Sequence, residues 1–151
     1  MSVSALSVSA LSDSQIEDLI TQSLAARENS YSPYSKFRVG AALRTTDGKV
    51  FQGCNVENAS YGGAICAERT AFVKAVSEGH RRFVAIAVSC DFNSFITPCG
   101  ICRQFMNEFG KSLEIFFVND DRTYKRAILE DLLPFAFGPE DLPDNSEKQK
   151  A

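Results

Sequence analysis

Three cysteines stand where a chain could gather sulfur around one ion: Cys66, then Cys99 and Cys102 in Pro98-Cys99-Gly100-Ile101-Cys102. A Cys-x-x-Cys alone can be redox-active, metal-binding or neither. Here Cys66 is predicted to open one helix, and Cys99 and Cys102 to open the next. Positions i and i+3 share a helical face, so Cys99 and Cys102 can grip one ion. Helix N-termini carry partial positive charge, which favours the thiolate that a metal needs. Glu68 lies two residues after Cys66. It can be a proton shuttle beside the metal's water, or simply an acidic residue that suits a first turn. Arg69 can lie on the sulfurs' side and donate to them, or face solvent.

Whether Cys66 reaches the other two depends on the elements between them. A helix from Ile65 or Cys66 to about Glu78, stopped by Gly79, is about 21 Å long. The apolar run that begins Phe83-Val84-Ala85-Ile86-Ala87-Val88 and continues to Cys90 reads as a strand covered on both faces, and returns about 26 Å. Out and back nearly cancel, so Pro98 comes home to the edge where Cys66 sits, where α/β sheets bind ligands. Three sulfurs leave the fourth place of a tetrahedral zinc open, as in catalytic sites. Cys54 and Cys90 end strands on the same edge and remain candidates for closing it. His80, the only histidine, lies at the far end of its helix, about 20 Å away.

Before these elements, Ser12-Asp13-Ser14 caps a first helix, with Ser14 and Glu17 at capping-box spacing. Ile16, Leu19, Ile20 and Leu24 form its apolar stripe, ending near Glu28. Strands over about Phe37–Thr45 and Lys49–Val56 flank the hairpin signal Asp47-Gly48. A helix from Pro98 to Gly110, a buried strand over Leu113–Val118 and a short helix over Ala127–Leu133 complete the series. After the hairpin, helices and strands alternate, which means an α/β fold: a three-layer α/β/α sandwich on a mixed sheet.

The chain has 151 residues, 44% hydrophobic and 23% charged, which is one soluble domain's worth. A net charge of −3 with scattered basic residues argues against a polynucleotide partner. No apolar run approaches a membrane span. Residues 1–11 repeat Ser-Val-Ser-Ala-Leu twice without a basic n-region and read as a flexible Ser-rich tail. The domain is expected over 12–143, and 144–151 as a flexible charged tail. Five cysteines without an export signal make a disulfide framework improbable and point to the cytoplasm, with nuclear entry left open.

Cys66-Ala67-Glu68 followed by Pro98-Cys99-Gly100-Ile101-Cys102 resembles the signature of the zinc nucleoside and nucleotide deaminases. The three-cysteine form and short length are similar to the small homotetrameric cytidine deaminases. The likeness runs from about Ser30 to Leu142. It takes in Tyr31-Ser32-Pro33-Tyr34-Ser35-Lys36-Phe37, Asn55-Val56-Glu57-Asn58-Ala59-Ser60-Tyr61, Cys66-Ala67-Glu68-Arg69 and Phe137-Gly138-Pro139-Glu140.

The resemblance implies a mixed five-stranded sheet and one Zn2+ per subunit on Cys66, Cys99 and Cys102. It makes Glu68 the acid/base and Arg69 the group that tempers the thiolates. Asn55 and Glu57 would hydrogen-bond the sugar, and Phe37 would pack against the pyrimidine. The Ala67 N–H would hold the base carbonyl, and the Thr97 carbonyl would accept from the departing amino group. Tyr34, Tyr61 and Phe137 would lie at subunit boundaries, with Phe137 reaching a neighbour's base in shared active sites. The implied activity is hydrolytic deamination of cytidine and deoxycytidine in pyrimidine salvage, by zinc-bound hydroxide attack at C4. Rivals are a closed zinc-binding interaction module, a thioredoxin-like oxidoreductase, a polynucleotide editor and a deaminase of a cytosine-like antibiotic.

Overall fold

The first helix is capped two residues earlier than the Ser14–Glu17 spacing suggests. In the computed structural model, which describes residues 8–143, Ser12 is the N-cap of α1 (Asp13–Arg27). Its hydroxyl accepts from the Gln15 N–H, and the Gln15 side chain returns the bond to the Ser12 N–H. Ser14 and Glu17, the expected pair, are displaced because Ser12 already has extended backbone, as a cap requires. Upstream, the Ser9 hydroxyl donates to Glu114 at 2.6 Å and the Ala10 N–H at 2.8 Å. Ser9 and Ala10, within the Ser-rich leader, are thus held against the sheet. The rest of that leader, and the charged tail over 144–151, lie outside the described residues.

A five-stranded sheet has the order β2-β1-β3-β4-β5: β1 (Val39–Thr45), β2 (Val50–Cys54), β3 (Phe83–Cys90), β4 (Glu114–Val118) and β5 (Tyr124–Ile128). Only β3 and β4 run parallel, so the sheet is mixed. Gly48 turns the β1–β2 hairpin at φ +94°, which its missing Cβ permits. The fifth strand was not visible in the residue pattern, which gave a helix over Ala127–Leu133. Tyr-Lys-Arg-Ala-Ile is an edge strand with an exposed start, and its polar residues mask the alternation. Helix α4 is confined to Leu129–Leu132.

Helices cover both faces. On one, Ile16, Leu19 and Ile20 of α1 pack on Ala42, Ala87, Phe116 and Val118. Burying three aliphatic side chains of that size stabilises by ~1.5–3 kcal/mol each. On the other, α2 (Ala67–Ser77) and α3 (Gly100–Asn107) set Ala71, Phe72 and Met106 against Leu43, Ile86 and Val88. Alternate residues of β3 serve opposite faces, which explains its continuous apolar run. This is the three-layer sandwich expected. No helix among the described residues is long and apolar enough to cross a membrane.

Gly53 fixes how closely α2 lies on β2. A Cβ there would sit 2.5 Å from the Ala67 carbonyl oxygen and 3.0 Å from Ala71 Cα. Both are backbone atoms, so the helix would have to move. Gly53→Ala is expected to destabilise the fold by about 1–3 kcal/mol, the usual range for overpacking. Thermal unfolding measures it, and an unchanged midpoint would show that α2 tolerates displacement.

Candidate functional site

The site is built where α2 and α3 begin. Cys66 is the N-cap of α2 (φ −73°, ψ 156°) and Cys99 the N-cap of α3 (φ −65°, ψ 165°). Neither side chain makes a capping bond, so both sulfurs are free for another partner. Cys102, in the first turn of α3, is fully buried. The three Sγ atoms lie within 4.8 Å of one another, with Cys66 and Cys99 3.8 Å apart. A tetrahedral zinc with Zn–S of ~2.3 Å spaces its sulfurs by about 3.8 Å, so the donor set fits that ion.

The fourth corner is not closed by protein sulfur. Cys90 is buried with its Sγ against the Phe92 and Ser94 carbonyls, and burial pushes its thiol up. Cys54 points its Sγ at the Asn29 carbonyl, 3.3 Å away. His80 sits beside Asp47 and Phe51. Among the described residues, Cys66, Cys99 and Cys102 form the one group of three or more such side chains placed to hold a metal.

Electrostatics fit thiolate chemistry. A proton shared with Cys102 pulls the Cys66 thiol down to about 5, against its own desolvation and helped by the Arg69 guanidinium. The same sharing and burial drive Cys102 upward. Arg69 Nη2 lies 3.6 Å from Cys66 Sγ. Its Nε is buried without a hydrogen-bond partner. Glu68 is 4% exposed, and burial pushes its carboxyl up to about 7, with the Cys66 charge adding to the effect.

These groups open into a cavity of about 500 Å³. Phe37, Asn55, Glu57, Tyr61, Ala67 and Thr97 all line it, with Glu68, Arg69, Cys66 and Cys99. Tyr34 lines an adjoining hollow that shares Glu57 and Tyr61 with it, and the Tyr34 and Tyr61 rings lie 5.8 Å apart. Phe137 lies elsewhere. Gln104 and Asn107 donate to its carbonyl at 2.9 and 3.2 Å, holding the segment on α3 with the ring 58% exposed.

Asn55 and Glu57 sit just past β2, on an extended segment bridged to Tyr31 and Ile65 through Val56. Asn55 spends its amide locally. Nδ2 donates to the Phe37 carbonyl, while Oδ1 accepts from the Val39 N–H and the Ser30 hydroxyl. The Glu57 carboxylate accepts from the Tyr34 and Ser35 N–H groups. Partial desolvation opposes its ionisation, and these donors prevail, holding the carboxyl below the usual range.

Sequence reading missed some of the supports. Arg103 reaches back one turn from α3, donating to the Pro98 carbonyl (2.8 Å), the Thr97 hydroxyl (2.9 Å) and the Leu132 carbonyl (2.8 Å). Its position four residues after Cys99 was the available signal, since i and i+4 share a face. Ile96 and Ile101 form apolar cavity wall; nothing in their spacing marks them.

Residues 13–118 match the family model of the cytidine and deoxycytidylate deaminase zinc-binding region. A cytidine deaminase from Sporosarcina psychrophila is 47% identical over 134 residues, 88% of this chain and 98% of that protein. The crystal structure of cytidine deaminase from Burkholderia pseudomallei superposes with a TM-score of 0.78 at 52% identity, covering 80% of this chain and 98% of that one. That of Mycobacterium tuberculosis gives 0.71 at 42% identity, covering 81% and 96%.

Metal content separates the cysteines. Purified protein is expected to carry one zinc per chain, as are Cys54→Ser and Cys90→Ser, whereas Cys102→Ala loses about nine-tenths or more of it. Zinc loss in Cys90→Ser would mean a fourth sulfur ligand. The sulfur trio thus has a lineage as well as a shape: the chain belongs to the cytidine and deoxycytidylate deaminase family and is a zinc-dependent hydrolytic deaminase.

Proposed function

We propose that the chain deaminates cytidine and deoxycytidine to uridine and deoxyuridine, releasing ammonia, in pyrimidine salvage. The observation that carries this reading is the Glu68 carboxyl, buried at the floor of the cavity beside three converging sulfurs. Held by Cys66, Cys99 and Cys102, zinc supplies Lewis acidity that brings the pKa of a water from ~16 toward neutrality.

The chain's own residues then manage protons and orientation. Glu68 takes a proton from water and delivers it to ring N3 as oxygen bonds to C4. Glu68 then carries the remaining proton from the C4 hydroxyl to the exocyclic nitrogen, the C4–N bond breaks as C4=O forms, and ammonia departs. A carboxyl pushed up to about 7 can both accept and donate near neutral pH. Arg69, beside the Cys66 sulfur, reduces the electron donation of the thiolates.

Phe37 packs against the base, the Ala67 N–H at the start of α2 holds its carbonyl, and the Thr97 carbonyl accepts from the amino group. Asn55 and Glu57 meet the sugar, Asn55 through the amide hydrogen that its Phe37 bond leaves over. That polar pair favours a nucleoside over a bare cytosine-like ring. The acidic balance, −3 overall, favours a small substrate over a polynucleotide.

The unit that does this is a single domain over 12–143. It assembles as a homotetramer with Tyr34, Tyr61 and Phe137 at its boundaries, Phe137 entering a neighbouring site. The exposed Tyr61 and Phe137 rings and the tethered Phe137 segment support that reading. Five free cysteines favour a reducing compartment, and we place the protein in the cytoplasm.

Glu68→Gln is expected to keep zinc and fold while losing at least about 10²–10⁴ in kcat, the range of general acid–base catalysis. Turnover close to the parent's would remove Glu68 from the mechanism. With cytidine, deoxycytidine, cytosine and CMP offered separately, falling ultraviolet absorbance is expected for the first two only. Turnover of CMP or of free cytosine would move the substrate class.

A further inference from the structure

We infer that Asp91 and Phe92, the two residues that follow β3, are positioning residues for Phe37. The Phe92 ring lies parallel to the Phe37 ring, centroids 5.0 Å apart and planes 18° from each other. Phe37 lines the cavity that holds Glu68, and Phe92 does not. Phe92 therefore backs the ring from the side away from the cavity. It is itself 60% exposed.

The backbone beside Phe37 is latched to the same pair. Asp91 accepts from the Arg38 N–H at 3.2 Å and from both Nε and Nη2 of its guanidinium at 2.9 Å. A fork of that kind fixes geometry as well as charge. Just ahead, Lys36 holds a left-handed backbone at φ +57°, a conformation that non-glycine residues adopt at a cost and only when neighbours enforce it. The Phe37 N–H donates to the Ser35 hydroxyl, and its carbonyl accepts from Asn55. The main chain is thus fixed on both sides, while the ring packs partly on the core and stacks on Phe92.

A half-buried phenyl ring without a backing partner samples other rotamers, and each one away from the cavity withdraws the surface offered to a planar base. The clamp selects the productive orientation before substrate arrives, so it contributes to binding more than to chemistry. This rests on the reading of Phe37 as the platform for the pyrimidine, and the test separates the two.

Steady-state kinetics with cytidine, on zinc-loaded Phe92→Ala, Phe92→Tyr, Phe37→Ala and the double variant, form a mutant cycle. Phe92→Ala is expected to raise KM about two- to tenfold, the worth of an aromatic pair, with kcat within about twofold. Phe92→Tyr keeps the stack and restores KM. In the Phe37→Ala background, loss of the Phe92 ring has no further effect, because nothing remains to be positioned. A raised KM in Phe37→Ala alongside an unchanged KM in Phe92→Ala overturns the clamp. Strictly additive effects also overturn it. An unchanged KM in Phe37→Ala overturns the platform reading, and the clamp with it. A fall in kcat without a rise in KM would assign Phe92 a role other than this one.

Discussion

Everything chemical in this fold depends on two helices starting at the same place. Each helix N-terminus leaves backbone N–H groups without partners and carries about half a positive charge. Two such ends facing one another repel unless something anionic lies between them. Here Cys66 and Cys99 occupy the N-cap positions and Cys102 the first turn behind. The sulfurs supply negative charge where the backbone demands it, and the metal neutralises what the helices cannot. The convergence is enforced by topology: α2 runs away from the site, β3 returns along the sheet, and α3 begins where β3's extension ends. Gly53 lets the first of these helices lie against β2 at backbone contact distance.

That arrangement creates the tension that makes the site reactive. Glu68 is drawn into the interior one residue into α2, next to a thiolate, where its ionised form loses water and meets like charge. Its own helix end and Arg69 pull the other way. The compromise is a carboxyl that holds its proton loosely. A solvent-facing glutamate at the same helical position would have the dipole's help and none of the burial, and would stay ionised throughout the neutral range.

The sulfur trio was legible because cysteine spacing and helix starts are local facts, and because the lengths of α2 and β3 cancel. Which sulfurs were excluded was not legible. Cys90 and Cys54 end strands at the same edge, and only their side-chain directions, toward the Phe92 and Asn29 carbonyls, remove them. The hairpin signal found β1 and β2 and apolar runs found β3 and β4, while neither marks β5, where Tyr-Lys-Arg-Ala-Ile carries polar residues on an edge. The α1 cap was misplaced by two residues, since Ser12 and Ser14 are chemically equal and backbone extension decides between them. Ser9 and Ala10 gave no sign of docking. Their partner, Glu114, lies more than a hundred residues away and shows itself only when β4 brings its buried carboxylate to the surface they cross.

The occupation of Asn55 by its own backbone bears on how such a scaffold can diversify. Its amide closes the junction between β1 and the approach to Phe37 while bordering the cavity. Any replacement there alters the cavity wall and hairpin closure together, so drift at this corner is penalised twice. Ile96 and Ile101 border the same cavity from a loop and a helix start, and the backbone around them is fastened by Arg103 rather than by their own side chains. Evolvability is therefore lopsided: the cavity wall is more readily remodelled from the α3 side than from the β2 side.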